Sequence, residues 1–208
     1  MKLLVVGGGG REHAIIKKLK ENPSVTQIIA APGNGGIAAD AVCVPIGAKD
    51  IDGLVALAQR EQVDYAVVAP DDPLVLGAVD ALTAAGIPCF GPNRAAAVIE
   101  GSKVFSKHLM KKYGIPTAAY ETFDDLDAAL AYLDTAPVPV VVKADGLALG
   151  KGVIIAQSRE EAKEAVVSMM PPHRDRGIFD RAGGIGAVVH GRGDAGAHGV
   201  LNGSQARA

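Results

Sequence analysis

Short apolar runs without charge, each separated by a helical pattern, constrain this chain most. Leu3-Leu4-Val5-Val6, Ile28-Ile29-Ala30-Ala31, Asp64-Tyr65-Ala66-Val67-Val68-Ala69 and Ile87-Pro88-Cys89-Phe90 read as strands. Between them, helices are predicted over 11–21, 50–62 and 73–85. Ala14, Ile15 and Leu19 form the expected apolar stripe of the first helix, and Ile51, Leu54, Val55 and Ala58 that of the second. Gly86 reads as a helix stop. Strands so poor in charge are buried on both faces, which a parallel sheet between helices provides. Residues 1–92 therefore predict a doubly wound α/β domain.

The pattern changes after residue 92. A helix is expected over 95–113, stopped by Gly114 with Pro116 beyond, and another over 124–133 with Asp124 as N-cap. Strands follow at 138–143 and 153–156. Ser158-Arg159-Glu160-Glu161 reads as a capping box opening a helix to 170. This second unit, 93–170, is α+β. Residues 171–208 show no period. They hold 9 of the 26 glycines, 5 of the 9 arginines and none of the 12 lysines. They are expected to be a poorly ordered tail without a packed core.

Composition closes off several functions. A net charge of −2 leaves no basic footprint for nucleic acid. Two cysteines suit a reducing compartment. No run of about 18 apolar residues escapes interruption, so no membrane span is expected. The expected location is the cytoplasm.

Strand, Gly7-Gly8-Gly9-Gly10, helix is a geometry that can hold a phosphate, since glycine lets backbone N–H groups approach a ligand. The dinucleotide spacing is incomplete: the third glycine would stand where Glu12 or His13 does. The acidic residue expected after the second strand is replaced by Ala31-Pro32-Gly33, which disfavours a nicotinamide oxidoreductase. A phosphate ligand and a tight structural turn stay equally open. Lys143 to Gly152 reads as a flap of glycines and lysines able to close on phosphates, or as a hairpin with solvated lysines. Gly101-Ser102-Lys103 marks either a close approach or a helix break. Asp72 of Asp71-Asp72-Pro73 reads as an N-cap. His173, His190 and His198 have no metal-ligand spacing.

Together these segments resemble one family. Val5 to Ala14, Ala31-Pro32-Gly33-Asn34, Pro70 to Val75, Phe90-Gly91-Pro92, Glu100-Gly101-Ser102-Lys103, Tyr113 to Ala118, and Val142 to Ala148 with Gly150 to Val153 resemble, in order, the phosphoribosylamine–glycine ligases. These are ATP-grasp enzymes of purine biosynthesis. Asp71-Asp72 departs from the family's usual Gly-Pro-Glu. The resemblance implies a Rossmann-like domain before a partial ATP-grasp domain. It implies that Gly8, Gly9 and Gly10 lie near the phosphate of phosphoribosylamine. It implies ATP contacts from Lys103, Lys143, Asp145, Gly146, Leu147, Ala148, Gly150, Lys151, Gly152 and Val153. It implies glycine as second substrate, ATP with magnesium as cofactors, and a monomer. The family's magnesium ligands and second ATP-grasp half have no counterpart in this chain, so no metal ligand or catalytic residue is assigned. Its expected state is truncated and inactive, with a nucleotide-binding module that does not catalyse as the alternative.

The tail suggests a genetic origin. Read one nucleotide out of frame, the codons of Asp180-Arg181-Ala182-Gly183-Gly184 permit Thr-Gly-Pro-Glu. The whole of 175–208 then permits a string resembling the family's next segment. A frameshift near Pro171 is expected, and the coding DNA decides it.

Overall fold

A computed structural model describes residues 1–145 and 152–170, and the backbone of 187–190. It divides into two compact units, Met1–Ser106 and Lys107–Ala208.

The first unit is built on strands β1 (Lys2–Gly7), β2 (Gln27–Pro32), β3 (Val42–Cys43), β4 (Tyr65–Val68) and β5 (Cys89–Phe90). They form one sheet in the order β3-β2-β1-β4-β5, with every pairing parallel. Leu4 and Val6 face one cluster with Leu54, Leu57 and Leu82, whereas Leu3 and Val5 face another with Ile16 and Ile37. This two-sided burial is why the strand interiors carry no charge, the one lysine of β1 standing at its first position.

Helix α1 (Gly10–Lys20) buries Glu12 and Ile16. Ala14, expected inward, is exposed. Positions 12, 16 and 19 share a face at helical spacing, and 14 lies across from it. Helix α2 (Ile51–Arg60) starts at Asp50, whose carboxylate accepts the Gly53 N–H at 2.9 Å. A short 3-10 turn at Ile37–Ala39 and strand β3 went unread in the sequence.

The single helix expected over 73–85 is two, α3 (Asp71–Leu76) and α4 (Ala78–Ala84). Gly77 separates them at φ +89°, a left-handed value that ends a helix. The expected helix over 95–113 is likewise α5 (Arg94–Gly101) and α6 (Lys103–Lys112), with Ser102 extended between them. A methyl on Gly101 would stand 3.0 Å from Val75 of α3, so this glycine serves helix packing. The packing of α5 on α3 carries the first unit past residue 92.

The second unit has strands β6 (Tyr120–Phe123), β7 (Val140–Ala144), β8 (Val153–Ala156) and β9 (Ala187–His190), in the order β6-β9-β7-β8. All three pairings are antiparallel. Helices α7 (Leu126–Leu133) and α8 (Arg159–Met169) supply Leu133, Val166 and Met169 to a core with Val140 and Val142. Asp125, not Asp124, caps α7, accepting the Ala128 N–H at 2.8 Å. Ser158 caps α8 as expected. β9 lies within the segment expected to have no order, and its backbone completes the sheet.

Candidate functional site

In the first unit, β1 and β4 are neighbours whose following connections leave toward opposite edges of the sheet. Such a switch point opens a crevice beyond the strands' carboxyl ends, where ligands of open α/β sheets bind. Two turns line it, Gly7–Gly9 after β1 and Pro70 after β4. They touch, since a methyl on Gly7 would lie 2.8 Å from Pro70 Cγ.

A third turn, after β2, closes on the first. The Gly33 N–H donates to the Gly7 carbonyl at 3.1 Å. Asn34 Nδ2 donates to the Gly8 carbonyl at 2.7 Å, and its Oδ1 accepts the Ile37 N–H at 2.8 Å. A methyl on Gly8 would meet the Gly33 carbonyl oxygen at 2.4 Å, which no relaxation of a side chain can relieve. Gly8 is thus required by packing alone, before any ligand is considered.

The three glycines differ in what they can offer. Glu12 is 3% exposed, and its Oε2 accepts the Gly9 N–H at 2.6 Å. Arg11 Nε donates to Oε1 at 3.2 Å. The chain's own carboxylate therefore engages Gly9 where the helix dipole favours an anion. Gly10 faces open space.

Beside this turn His13 Nε2 lies 2.9 Å from Asp40 Oδ2, and Lys20 Nζ donates to Asp40 Oδ1 at 2.8 Å. The hydrogen bonds from Lys20 and His13 hold the Asp40 carboxyl down at about 2. Asp72 is not an N-cap. Pro70 holds that position, and Asp72 Oδ2 pairs with Lys49 Nζ at 2.5 Å.

In the second unit the sequence reading put Lys143 on a strand end, and it stands on β7. It missed Lys107 of α6, which is near enough for the charge of Lys143 to act on it. Lys107 Nζ donates to Thr117 Oγ1 and lies 5.2 Å from the centre of the Tyr120 ring. Tyr120 Oη donates to the Lys107 carbonyl at 2.9 Å. Desolvation first, and the charge of Lys143 second, lower the Lys107 pKa. The only sequence signal for Lys107 is its helical spacing of four from Lys103, which opens α6 in the first unit.

The Ala144 N–H donates to the Gly152 carbonyl at 2.9 Å, joining the two ends of the expected flap. Asp145 and Val153 flank it. Gly146, Leu147, Ala148, Gly150 and Lys151 lie outside the described residues.

A parallel sheet with a glycine turn at its switch point, followed by an antiparallel sheet bearing Lys143, invites comparison with known proteins. The family model for the phosphoribosylglycinamide synthetase N domain matches residues 1–100, and that for the ATP-grasp (A) domain matches 101–185. The chain belongs to the phosphoribosylglycinamide synthetase family.

The second match runs past residue 170, where the sequence reading ended the resemblance, and stops before β9. A phosphoribosylamine–glycine ligase of Allochromatium vinosum is 52% identical over 185 residues, which are 88% of this chain and 42% of the relative. One of Lactococcus lactis is 51% identical, covering 86% and 44% respectively. The chain thus spans less than half the length of these relatives. The crystal structure of a phosphoribosylamine–glycine ligase from Thermotoga maritima superposes with a TM-score of 0.68 at 27% identity, over 92% of this chain and 44% of that one. The biotin carboxylase domain of a Hydrogenobacter thermophilus 2-oxoglutarate carboxylase, a complex with MgADP, reaches 0.67 at 20% identity over 91% and 43%. At that identity the likeness is one of fold.

Proposed function

We propose that this chain forms the sugar-phosphate-binding domain and the first ATP-grasp half of a phosphoribosylamine–glycine ligase. In that reaction a glycine carboxylate oxygen attacks the γ-phosphorus of ATP and ADP leaves. The amine of phosphoribosylamine then attacks the carbonyl carbon of the glycyl phosphate, and phosphate leaves as the amide forms.

The observation that carries this reading is the pair of family matches, which together span residues 1–185. In the second unit, desolvation and the charge of Lys143 disfavour the charged form of Lys107, and an anion bound there would relieve both. A polyphosphate supplies that anion, and the two lysines neutralise charge on its oxygens. The family resemblance adds Lys103, Asp145 and the segment 146–153 as candidate ATP contacts. In the first unit the reading assigns the sugar's phosphate to the turn of Gly8, Gly9 and Gly10, where the Gly9 N–H is already engaged by Glu12 and Gly10 faces open space. Magnesium bound with ATP would supply further positive charge to the phosphates. Among the described residues no group of three His, Cys, Asp or Glu stands together to hold it.

Titration of the chain with ATP, followed by calorimetry, tests the reading. Lys107→Met and Lys143→Met should each weaken binding at least tenfold. Unchanged affinity in both would sink it. Glycine-dependent ADP release separates a working ligase from a module that binds without catalysis.

A further inference from the structure

The peptide unit between Gly8 and Gly9 is gripped at both ends by side chains. Its carbonyl, on Gly8, accepts from Asn34 Nδ2 at 2.7 Å, and its N–H, on Gly9, donates to Glu12 Oε2 at 2.6 Å. A trans peptide points its carbonyl and N–H in opposite directions, so the two contacts together fix the plane of the unit. The preceding unit is fixed in the same way. The Gly7 carbonyl accepts the Gly33 N–H at 3.1 Å, which turns the Gly8 N–H away from the 33–34 turn. Among the described residues that Gly8 N–H has no acceptor.

Glycine has no side chain with which to hold such a turn, and its backbone is the freest of any residue. The grip on the Gly8 carbonyl comes from another loop, and that loop is itself tied to α1. Asn34 Oδ1 accepts the Ile37 N–H at 2.8 Å and opens the 3-10 turn that ends at Asp40. Asp40 Oδ2 lies 2.9 Å from His13 Nε2, and Oδ1 accepts from Lys20 at 2.8 Å. His13 and Lys20 both belong to α1, the helix that follows the glycine turn. The His13 ring also stands against Gly36, where an added methyl would lie 3.4 Å from it. The contacts close a circuit from Gly8 through Asn34, Asp40 and His13 back along α1 to the turn. Backbone donors that are oriented before a ligand arrives spend none of its binding energy on ordering them.

We infer that Asn34 is a positioning residue for the phosphate-binding turn of the first unit, and that His13 and Asp40 act through it by clamping its loop to α1. This rests on the reading of the first unit given above.

The test titrates the full chain with ribose 5-phosphate by calorimetry, and circular dichroism verifies that each variant is folded. Asn34→Ala should weaken binding roughly tenfold, as the loss of one hydrogen bond allows. Asn34→Asp keeps the acceptor for Ile37, and with it the 3-10 turn, but loses the donor to Gly8, so it should weaken binding as well. Hydrogen exchange of the Gly9 amide in the unliganded chain should quicken in both variants, which separates lost positioning from repulsion of phosphate by the new carboxylate. His13→Ala should cost roughly threefold alone and nothing further in the Asn34→Ala background, since contacts in one network do not add. His13→Gln, whose amide can still donate to Asp40, should recover most of that loss. Should both Asn34 variants bind within twofold of wild type, or leave Gly9 exchange unchanged, the inference falls and the reading of the unit stands. Should the losses of His13→Ala and Asn34→Ala add, the clamp does not act through Asn34 and that half of the inference falls. Should wild type bind no ribose 5-phosphate, the reading falls and the inference with it.

Discussion

Glu12 is the charged residue on the buried face of α1, and its role follows from where the helix begins. The first N–H groups of a helix have no intrahelical acceptor. Glu12 folds back to accept the Gly9 N–H while its stem fills the space beside Gly7. Glu12→Ala leaves that donor unpaired in a buried place and should cost about 1–3 kcal/mol. Urea unfolding followed by circular dichroism measures it. Glu12→Gln, which keeps an acceptor, should cost less. Asp40 gives a pH dependence whose sign is fixed. Its carboxyl is held at about 2, below the ordinary 3.8, by Lys20 and His13. A depressed carboxyl stabilises the fold fully above the ordinary value, and that contribution is lost as pH falls toward 2. Wild type should therefore melt above Asp40→Asn at pH 6, and the gap should close between pH 4 and 2. A gap that stays constant over that range would show the carboxylate contributes nothing.

At the scale of elements, glycine placement decides where helices stop. Gly77 and Gly101 both lie in runs whose apolar spacing suits one long helix. Gly77 adopts a left-handed backbone and ends α3, whereas the second run breaks at the extended Ser102 directly after Gly101, which packs on Val75. Strand β9 is the converse case. Nothing in Ala187-Val188-Val189-His190 stands out in a glycine-rich stretch, yet its backbone lies between β6 and β7 and is the neighbour through which β6 joins the sheet. A proline at Val188 or Val189 removes a ladder N–H from a central strand, a position from which proline is all but excluded. The second unit should lose its cooperative unfolding in Val189→Pro, as hydrogen exchange at β6 and β7 would read. Protection at β6 equal to wild type would show that β9 does not hold the sheet together.

Over the whole molecule, the two units carry separate cores. The two clusters of the first unit draw on residues between Leu3 and Cys89, and that of the second on residues between Phe123 and Met170. A domain with its own core folds alone. Residues 1–106 expressed alone should give a cooperative urea transition and keep sugar-phosphate binding without ATP binding. A fragment that stays unfolded would show that the first core depends on the second unit. The first domain was legible in the sequence because uncharged strands alternate with helices, and such strands have few alternatives to a parallel sheet buried on both faces. The glycine turn and Lys143 were legible for the same local reason, since strand ends and turns announce themselves in neighbouring residues. Lys107 was not, because its significance is the proximity of Lys143, thirty-six positions along the chain. Asp71 and Asp72 look alike in sequence. Only the fold pairs Asp72, and not Asp71, with Lys49. By itself the sequence determined the α/β plan of the first unit and the family, both of which rest on local pattern. The tertiary structure decided which charges are paired and which glycines are packed, because those depend on contacts between segments distant in the chain.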